Sequence, residues 1–291
     1  MLEYQDIISR SSEFWEACAR HTARQTARTL QTGYYCDDCA RRLTHEAFND
    51  RPPVYHGVEL LGSCGLCNVM KTVASRQWFV CGICWNVVLA YQKSIVSGQA
   101  VHEYWRDNVK PSFPQLHLIE KEEVYLSPFA RKSKTKRQAA ESLDTLDFRV
   151  EERPPEAGKP LFHIELKSGP SAIDEMREFQ LDVNDSDDIV GAANNTGLPV
   201  YVFHVQTAFE YDPPTRSSVV RGIWWTDVFT LLEHRLAVRA RRGEDKDAGY
   251  YSPFAFKTIE TFLQELRDKK YIQLRDRLRK TPLTLSKTGR L

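Results

Sequence analysis

Six of the chain's seven cysteines fall in three pairs of identical spacing, Cys36-x2-Cys39, Cys64-x2-Cys67 and Cys81-x2-Cys84. Two thiolates separated by two residues can face one tetrahedral ion from a tight turn. Three such pairs close together therefore predict a small unit held by structural zinc. A thioredoxin-like redox site needs only one pair, and disulfides do not suit the intracellular setting expected for this chain. The seventh, Cys18, reads as a small buried hydrophobe on a leading helix.

The number of ions follows from how the pairs combine. Cys64-Gly65-Leu66-Cys67, a connecting hairpin, and Cys81-Gly82-Ile83-Cys84 leading into a helix together resemble a treble-clef zinc finger. That resemblance implies one four-thiolate site and leaves Cys36 and Cys39 to find other partners. His45 and His56 stand between the first two pairs, placed either to complete a second ion, with the pairs interleaved as a further arrangement, or to serve as ordinary surface or core imidazoles. The expectation is one or two Zn²⁺. A site closed by four protein ligands has no open position, so no chemistry is assigned to it. The unit would present Arg41, Arg42, Lys71, Arg76 and Trp78 to DNA, or dock against the rest of the chain or a second subunit.

Charge narrows the function classes. Across 291 residues, 40 Lys and Arg stand against 39 Asp and Glu, a formal net charge of +1 that excludes a protein coating nucleic acid by bulk attraction. Local basic stretches remain, Arg131–Arg137 and the C-terminal run of Arg267, Lys269, Lys270, Arg275, Arg277, Arg279 and Lys280. Each reads equally as a solvated helix face or linker. No apolar run is long enough to span a membrane, and the first residues, Met1-Leu2-Glu3-Tyr4, lack a secretion pattern. A soluble, cytoplasmic protein of prokaryotic type, with no membrane partner, is expected.

Periodicity then divides the chain. A leading helical segment is expected over residues 1–30, the zinc unit over 31–98, an α/β core over 99–225 and a helical extension of it over 226–291. Within these, Trp85 to Gly98 reads as a helix ending at the glycine, and Lys110 to Pro114 as a connector. Strands are expected at Leu116 to Tyr125, Thr145 to Val150, Leu161 to Lys167 and Leu198 to Val205. Helices are expected just before Ser142, at Ile173 to Val183, at Thr226 to Arg239 and at Phe256 to Arg279. The nearly continuous apolar run from Leu198 to Val205 suits a central strand covered on both faces. The fold class is α/β (α+β), a mixed central sheet flanked by helices, with the small zinc unit at its N-terminal side.

The chemistry concentrates in Phe162-His163-Ile164-Glu165-Leu166-Lys167-Ser168-Gly169. Side chains alternate across a strand, so Glu165 and Lys167 share one face while Leu166 points into a core. Burying two charges costs several kcal/mol unless they are paired or metal-bound. The preceding strand carries Asp147, which a hairpin would set opposite Glu165. Two converging carboxylates suit a hard cation such as Mg²⁺, which takes oxygen ligands and keeps water and phosphate oxygens in its shell. Such an ion lowers the pKa of bound water, and Lys167 would stabilise charge on a phosphate under attack.

With Asp147 as first acid and Glu165-Leu166-Lys167 as an E-x-K element, the stretch from about residue 130 to 206 resembles the PD-(D/E)xK nuclease superfamily. Leu146 stands where that family often has proline. The resemblance implies a restriction-endonuclease-like sheet and one or two Mg²⁺ held by Asp147, Glu165 and the Leu166 carbonyl. Asp144 is the reserve first acid, Glu141 an extra acid from the preceding helix or an exposed salt-bridging residue, and Gln180 a residue reaching the site from the following helix or standing at its margin. The implied activity is Mg²⁺-dependent hydrolysis of double-stranded DNA, as in type II restriction endonucleases, which act as homodimers on symmetric sites. Rival readings are a structure-specific repair or antiviral-defence nuclease, an RNA nuclease, and a non-catalytic zinc-finger DNA-binding or adaptor protein.

Overall fold

A computed structural model describes residues 28–42, 54–65, 69–81, 93, 96–120, 146–153, 158–212, 215–240 and 247–285. The chain divides into two units. The first comprises residues 1–99, 123–137 and 207–219; the second comprises 100–122, 138–206 and 220–291.

In the first unit β1 (Arg28–Cys36), β2 (Val54–Ser63) and β3 (Met70–Cys81) form an antiparallel sheet of order β1-β3-β2, and α1 (Asp37–Arg42) follows β1 directly. The expected leading helix does not reach residue 30, because Arg28, Thr29 and Leu30 pair with Cys81, Val80 and Phe79 of β3. Their pairing with a distant strand outweighs local helical spacing. Residues 1–27, including Cys18, lie outside the described residues.

The second unit is built on a six-stranded mixed sheet of order β12-β9-β8-β6-β5-β4, comprising β4 (Leu116–Glu120), β5 (Phe148–Glu152), β6 (Lys159–Gly169), β8 (Val200–Asp212), β9 (Thr215–Asp227) and β12 (Lys257–Thr258). β4, β5 and β6 pair antiparallel, whereas β6 and β8 run parallel. Parallel neighbours need a crossover. Here the chain leaves β6, forms β7 (Phe179–Asp182) and α3 (Val183–Thr196), and returns as β8. Gly197, at φ 64°, ends α3 in the left-handed conformation, its N–H donating to the Ala193 carbonyl at 2.9 Å.

One sheet face carries an aromatic core. Phe162 of β6 and Tyr201 of β8 meet edge to face at 5.1 Å, and Phe262 lies within 6.5 Å of Trp105, Phe162, Tyr201, Phe203 and Trp225. Trp105 comes from helix α2, described over residues 96–112, and Phe262 opens α5 (Phe262–Arg267), which α6 (Lys270–Lys280) follows. The alternation that turns Phe162 and Ile164 inward sends Glu165 and Lys167 to the opposite face.

Several expected elements differ. The helix expected to stop at Gly98 continues to Ser112, and Pro111 lies inside it. A π segment, Trp105–Val109, precedes that proline and shifts the hydrogen-bond ladder where Pro111 supplies no N–H. The helix expected over 173–183 is a 3₁₀ turn, Ile173–Glu175, and then β7, whose Phe179 and Leu181 alternate with half-buried neighbours and pair with β11 (Asp247–Tyr251). α3 escapes notice in the sequence because Asn184, Asp185, Asp187, Asp188, Asn194 and Asn195 are weak helix formers. Residues 226–291 are not only helical. α4 (Val228–Glu233), N-capped by Asp227, stops before β10 (Arg235–Ala240), and β10, β11 and β7 form a second sheet. Lys269, at φ 49°, breaks the expected C-terminal helix into α5 and α6.

Phe262 touches five aromatic side chains, so Phe262→Ala should cost about 3–5 kcal/mol of stability. Phe254, 91% exposed, is the matched control and its replacement by alanine should stay within about 0.5 kcal/mol. Chemical denaturation of the full chain checks both, and equal effects would contradict the packing described.

Candidate active site

Asp147 does not lie within a strand. It immediately precedes β5, whose first residue Phe148 pairs with Ile164. Continuing that antiparallel register by one step sets Asp147 opposite Glu165. Its Oδ2 accepts the Leu166 N–H at 2.7 Å, so the carboxylate is tied to the E-x-K backbone itself.

On β6, Lys167 Nζ lies 2.7 Å from Glu165 Oε1 and 3.0 Å from Asp185 Oδ2. Asp185 sits in the first turn of α3. Two carboxylates thus hold one ammonium, and Asp147 is tied to the backbone one residue before Lys167. Glu165 is the deepest at 8% exposure. Burial, then the Asp147 charge, push its carboxyl up to about 7 against the opposing pull of Lys167. Burial alone would lower the Lys167 pKa, but attraction to Glu165 and Asp185 outweighs it and the ammonium stays charged.

Backbone geometry adds an oxygen. The His163 N–H donates toward β8, to the Pro199 carbonyl at 2.9 Å, whereas the Leu166 N–H faces Asp147 on the β5 side. The N–H and C=O of a strand residue share an edge, so the Leu166 carbonyl also projects to that side, past the Phe148–Ile164 pair where the β5 ladder ends. Asp147, Glu165 and the Leu166 carbonyl could together offer oxygen ligands of the kind Mg²⁺ or Ca²⁺ takes.

Gln180 is not brought into this network. It lies on β7 opposite Tyr250 of β11, and its Nε2 is buried with no hydrogen-bond partner among the described residues. The reason is the misplaced helix, since a strand at 179–182 turns its side chains differently. Asp144, Glu141 and the basic stretch 131–137 lie outside the described residues. The C-terminal basic run belongs with the opposite face, where Tyr271 of α6 packs 5.7 Å from Phe162. There Arg277 is taken up by Glu233 at 2.7 Å and by the Phe229 ring.

Two residues were not legible as part of this region. Asp185 is one, hidden with the start of α3. The other is His204, paired in register with Lys167, buried, and hydrogen-bonded through Nε2 to the Ser171 carbonyl at 2.9 Å. Burial lowers its pKa, so it stays neutral beneath the ion pairs. Gly169 permits this approach, since a Cβ there would lie 3.1 Å from the imidazole Cε1.

In the first unit the structure brings Cys36, Cys39 and Cys64 together, their sulfurs within 4.8 Å of one another. The treble-clef pairing of Cys64 with Cys81 does not form. Ser63 pairs with Met70 at one end of β3 and Cys81 with Arg28 at the other, a separation of roughly 35 Å along the strand. Among the described cysteines, Cys64 neighbours Cys36 and Cys39. Cys67, Cys84 and His45 lie outside the described residues, as do the side chains of Cys81 and His56.

No protein-family model and no curated protein matches the chain. Among solved structures, a nuclease from a fusselovirus is similar at 15% identity and a TM-score of 0.31, covering 67% of this chain and 92% of that one. The chemistry is read from the side chains.

A carboxyl whose folded pKa lies above its ordinary value stabilises the fold at low pH and ceases to do so as pH rises through about 7. With chelator present, the wild-type melting temperature should therefore fall relative to that of Glu165→Gln between about pH 5 and about pH 8. Thermal melts of both proteins across that range check this, and a constant difference would contradict the burial of a strained carboxylate.

Proposed function

We propose that the second unit is the catalytic centre of a Mg²⁺-dependent nuclease that hydrolyses phosphodiester bonds in double-stranded DNA. The observation carrying this reading is the excess of carboxylate. A structural ion pair balances one acid with one base, whereas Glu165 is pushed toward its neutral form even with an ammonium 2.7 Å away. A divalent cation relieves that strain, and Asp147, Glu165 and the Leu166 carbonyl are the groups that would hold it.

When bound, Mg²⁺ supplies Lewis acidity toward the phosphate and a more acidic water. The chain's own residues do the rest. The Leu166 N–H fixes the Asp147 carboxylate in orientation. Lys167, kept cationic, stabilises negative charge gathering on the phosphoryl oxygens and orients the attacking water. Asp185 also holds Lys167, at 3.0 Å, and is a positioning residue. Within the nuclease class we favour a site-specific endonuclease of restriction type acting as a homodimer, because a two-fold enzyme matches a two-fold DNA site.

The test is Mg²⁺-dependent cleavage of plasmid DNA by wild type, Asp147→Ala and Lys167→Ala, with RNA assayed in parallel. Loss of at least about 100-fold in each variant, with DNA binding in Ca²⁺ retained, is expected. Discrete fragments are the expected pattern, and a structure-dependent pattern would favour a repair or defence nuclease instead. Identical behaviour of all three proteins would reduce Glu165–Lys167 to a structural pair in a binding or adaptor protein.

A further inference from the structure

Cys36 closes β1, Cys39 lies in α1 directly after it, and Cys64 follows β2. They come together because the chain is pinned twice at this end of the sheet. The Gly65 N–H donates to the Tyr34 carbonyl at 2.7 Å, and the Cys64 N–H to the Val69 carbonyl at 3.1 Å. All three cysteines are buried, none forms a disulfide, and their sulfurs lie within 4.8 Å of one another.

Three features set this cluster apart from cysteines used as small hydrophobes. A disulfide between any two would leave the third sulfur buried beside it. Sulfurs bound to one tetrahedral zinc at about 2.3 Å stand roughly 3.8 Å apart, a spacing that falls inside the 4.8 Å within which these three sulfurs lie. The Cys36 N–H also donates to Cys64 Sγ at 3.4 Å, a bond that favours negative charge on that sulfur and orients it. Softness of the donors selects zinc over the hard cation suited to the carboxylate site.

The surroundings give the ion a structural task. α1 has six residues, and Leu60, Leu61 and Met70 at the same end of the hairpin are exposed. Among the described residues of this unit, a short helix on a three-stranded sheet leaves these apolar side chains in water, a setting in which a metal can add stability.

We infer that Cys36, Cys39 and Cys64 together bind one zinc ion that ties β1, α1 and the end of β2 into one piece, and that Cys81 takes no part in it. This stands independently of the nuclease reading. The two metal sites differ in donor chemistry and are separable by chelator and by variant.

The test measures zinc content of the full chain by elemental analysis and cobalt(II) substitution by absorbance. Cys36→Ser and Cys64→Ser should each lose one equivalent of zinc and the thiolate-to-cobalt charge-transfer band, whereas Cys81→Ser should keep that band. Because a serine variant can fail to fold, a second measurement uses wild type alone. Alkylation at Cys36, Cys39 and Cys64, mapped by peptide mass, should accelerate at least tenfold when zinc is stripped. Full zinc content in Cys36→Ser, loss of the band in Cys81→Ser, a disulfide among the three, or alkylation indifferent to chelator would each overturn the inference.

Discussion

The account turns on one half-buried ammonium. Lys167 stands between Glu165 on its own strand and Asp185 at the start of α3, with Asp147 bonded to the backbone one residue before it. Charges this deep persist only when each finds a partner, and here the partners come from three separate segments. The β5–β6 pairing supplies Asp147, strand alternation supplies Glu165, and the crossover from β6 to β8 brings α3 and Asp185 over the same face. Losing Lys167 would leave Glu165 and Asp185 without their cation. The whole sheet topology is thus felt at one nitrogen.

The balance is nevertheless incomplete, and that imbalance points to function. Glu165 would be easier to bury as glutamine, and a protein selected for stability alone has no reason to keep it ionisable beside Asp147. Catalytic sites commonly hold such unfavourable arrangements, because the group that relieves them arrives with the substrate. The opposite face of the same sheet follows the other rule. There Phe162, Tyr201, Trp225 and Phe262 pack as interlocking aromatic rings. One face gives the stability that lets the other face be strained. The first unit shows a different feature, three buried sulfurs gathered at one end of its sheet.

Much of the central arrangement was legible because it rests on alternation. The apolar run ending at Ser168-Gly169 predicts β6, and antiparallel pairing predicts that residue 147 meets residue 165. The continuous run ending at Val205 predicts a covered strand, which becomes β8. What was not legible depends on distant partners. Phe179 to Asp182 is too short for its period to be decided locally, and only pairing with β11 makes it a strand. With that segment read as helix, Asp185 had no place in the site and Gln180 was given one. The cysteine spacing likewise shows that thiolates pair, but the choice of partners is set by the register of β1, β2 and β3, which no local signal carries.

The most direct measurement of the central claim is anomalous diffraction from crystals of the wild-type protein soaked in Mn²⁺ as a substitute for Mg²⁺. The account predicts a peak at roughly 2.0–2.5 Å from carboxylate oxygens of Asp147 and Glu165 and from the Leu166 carbonyl oxygen. It also predicts that Lys167 Nζ moves off Glu165 while keeping Asp185. A map with no peak there, and with Lys167 still bridging both carboxylates, would contradict it.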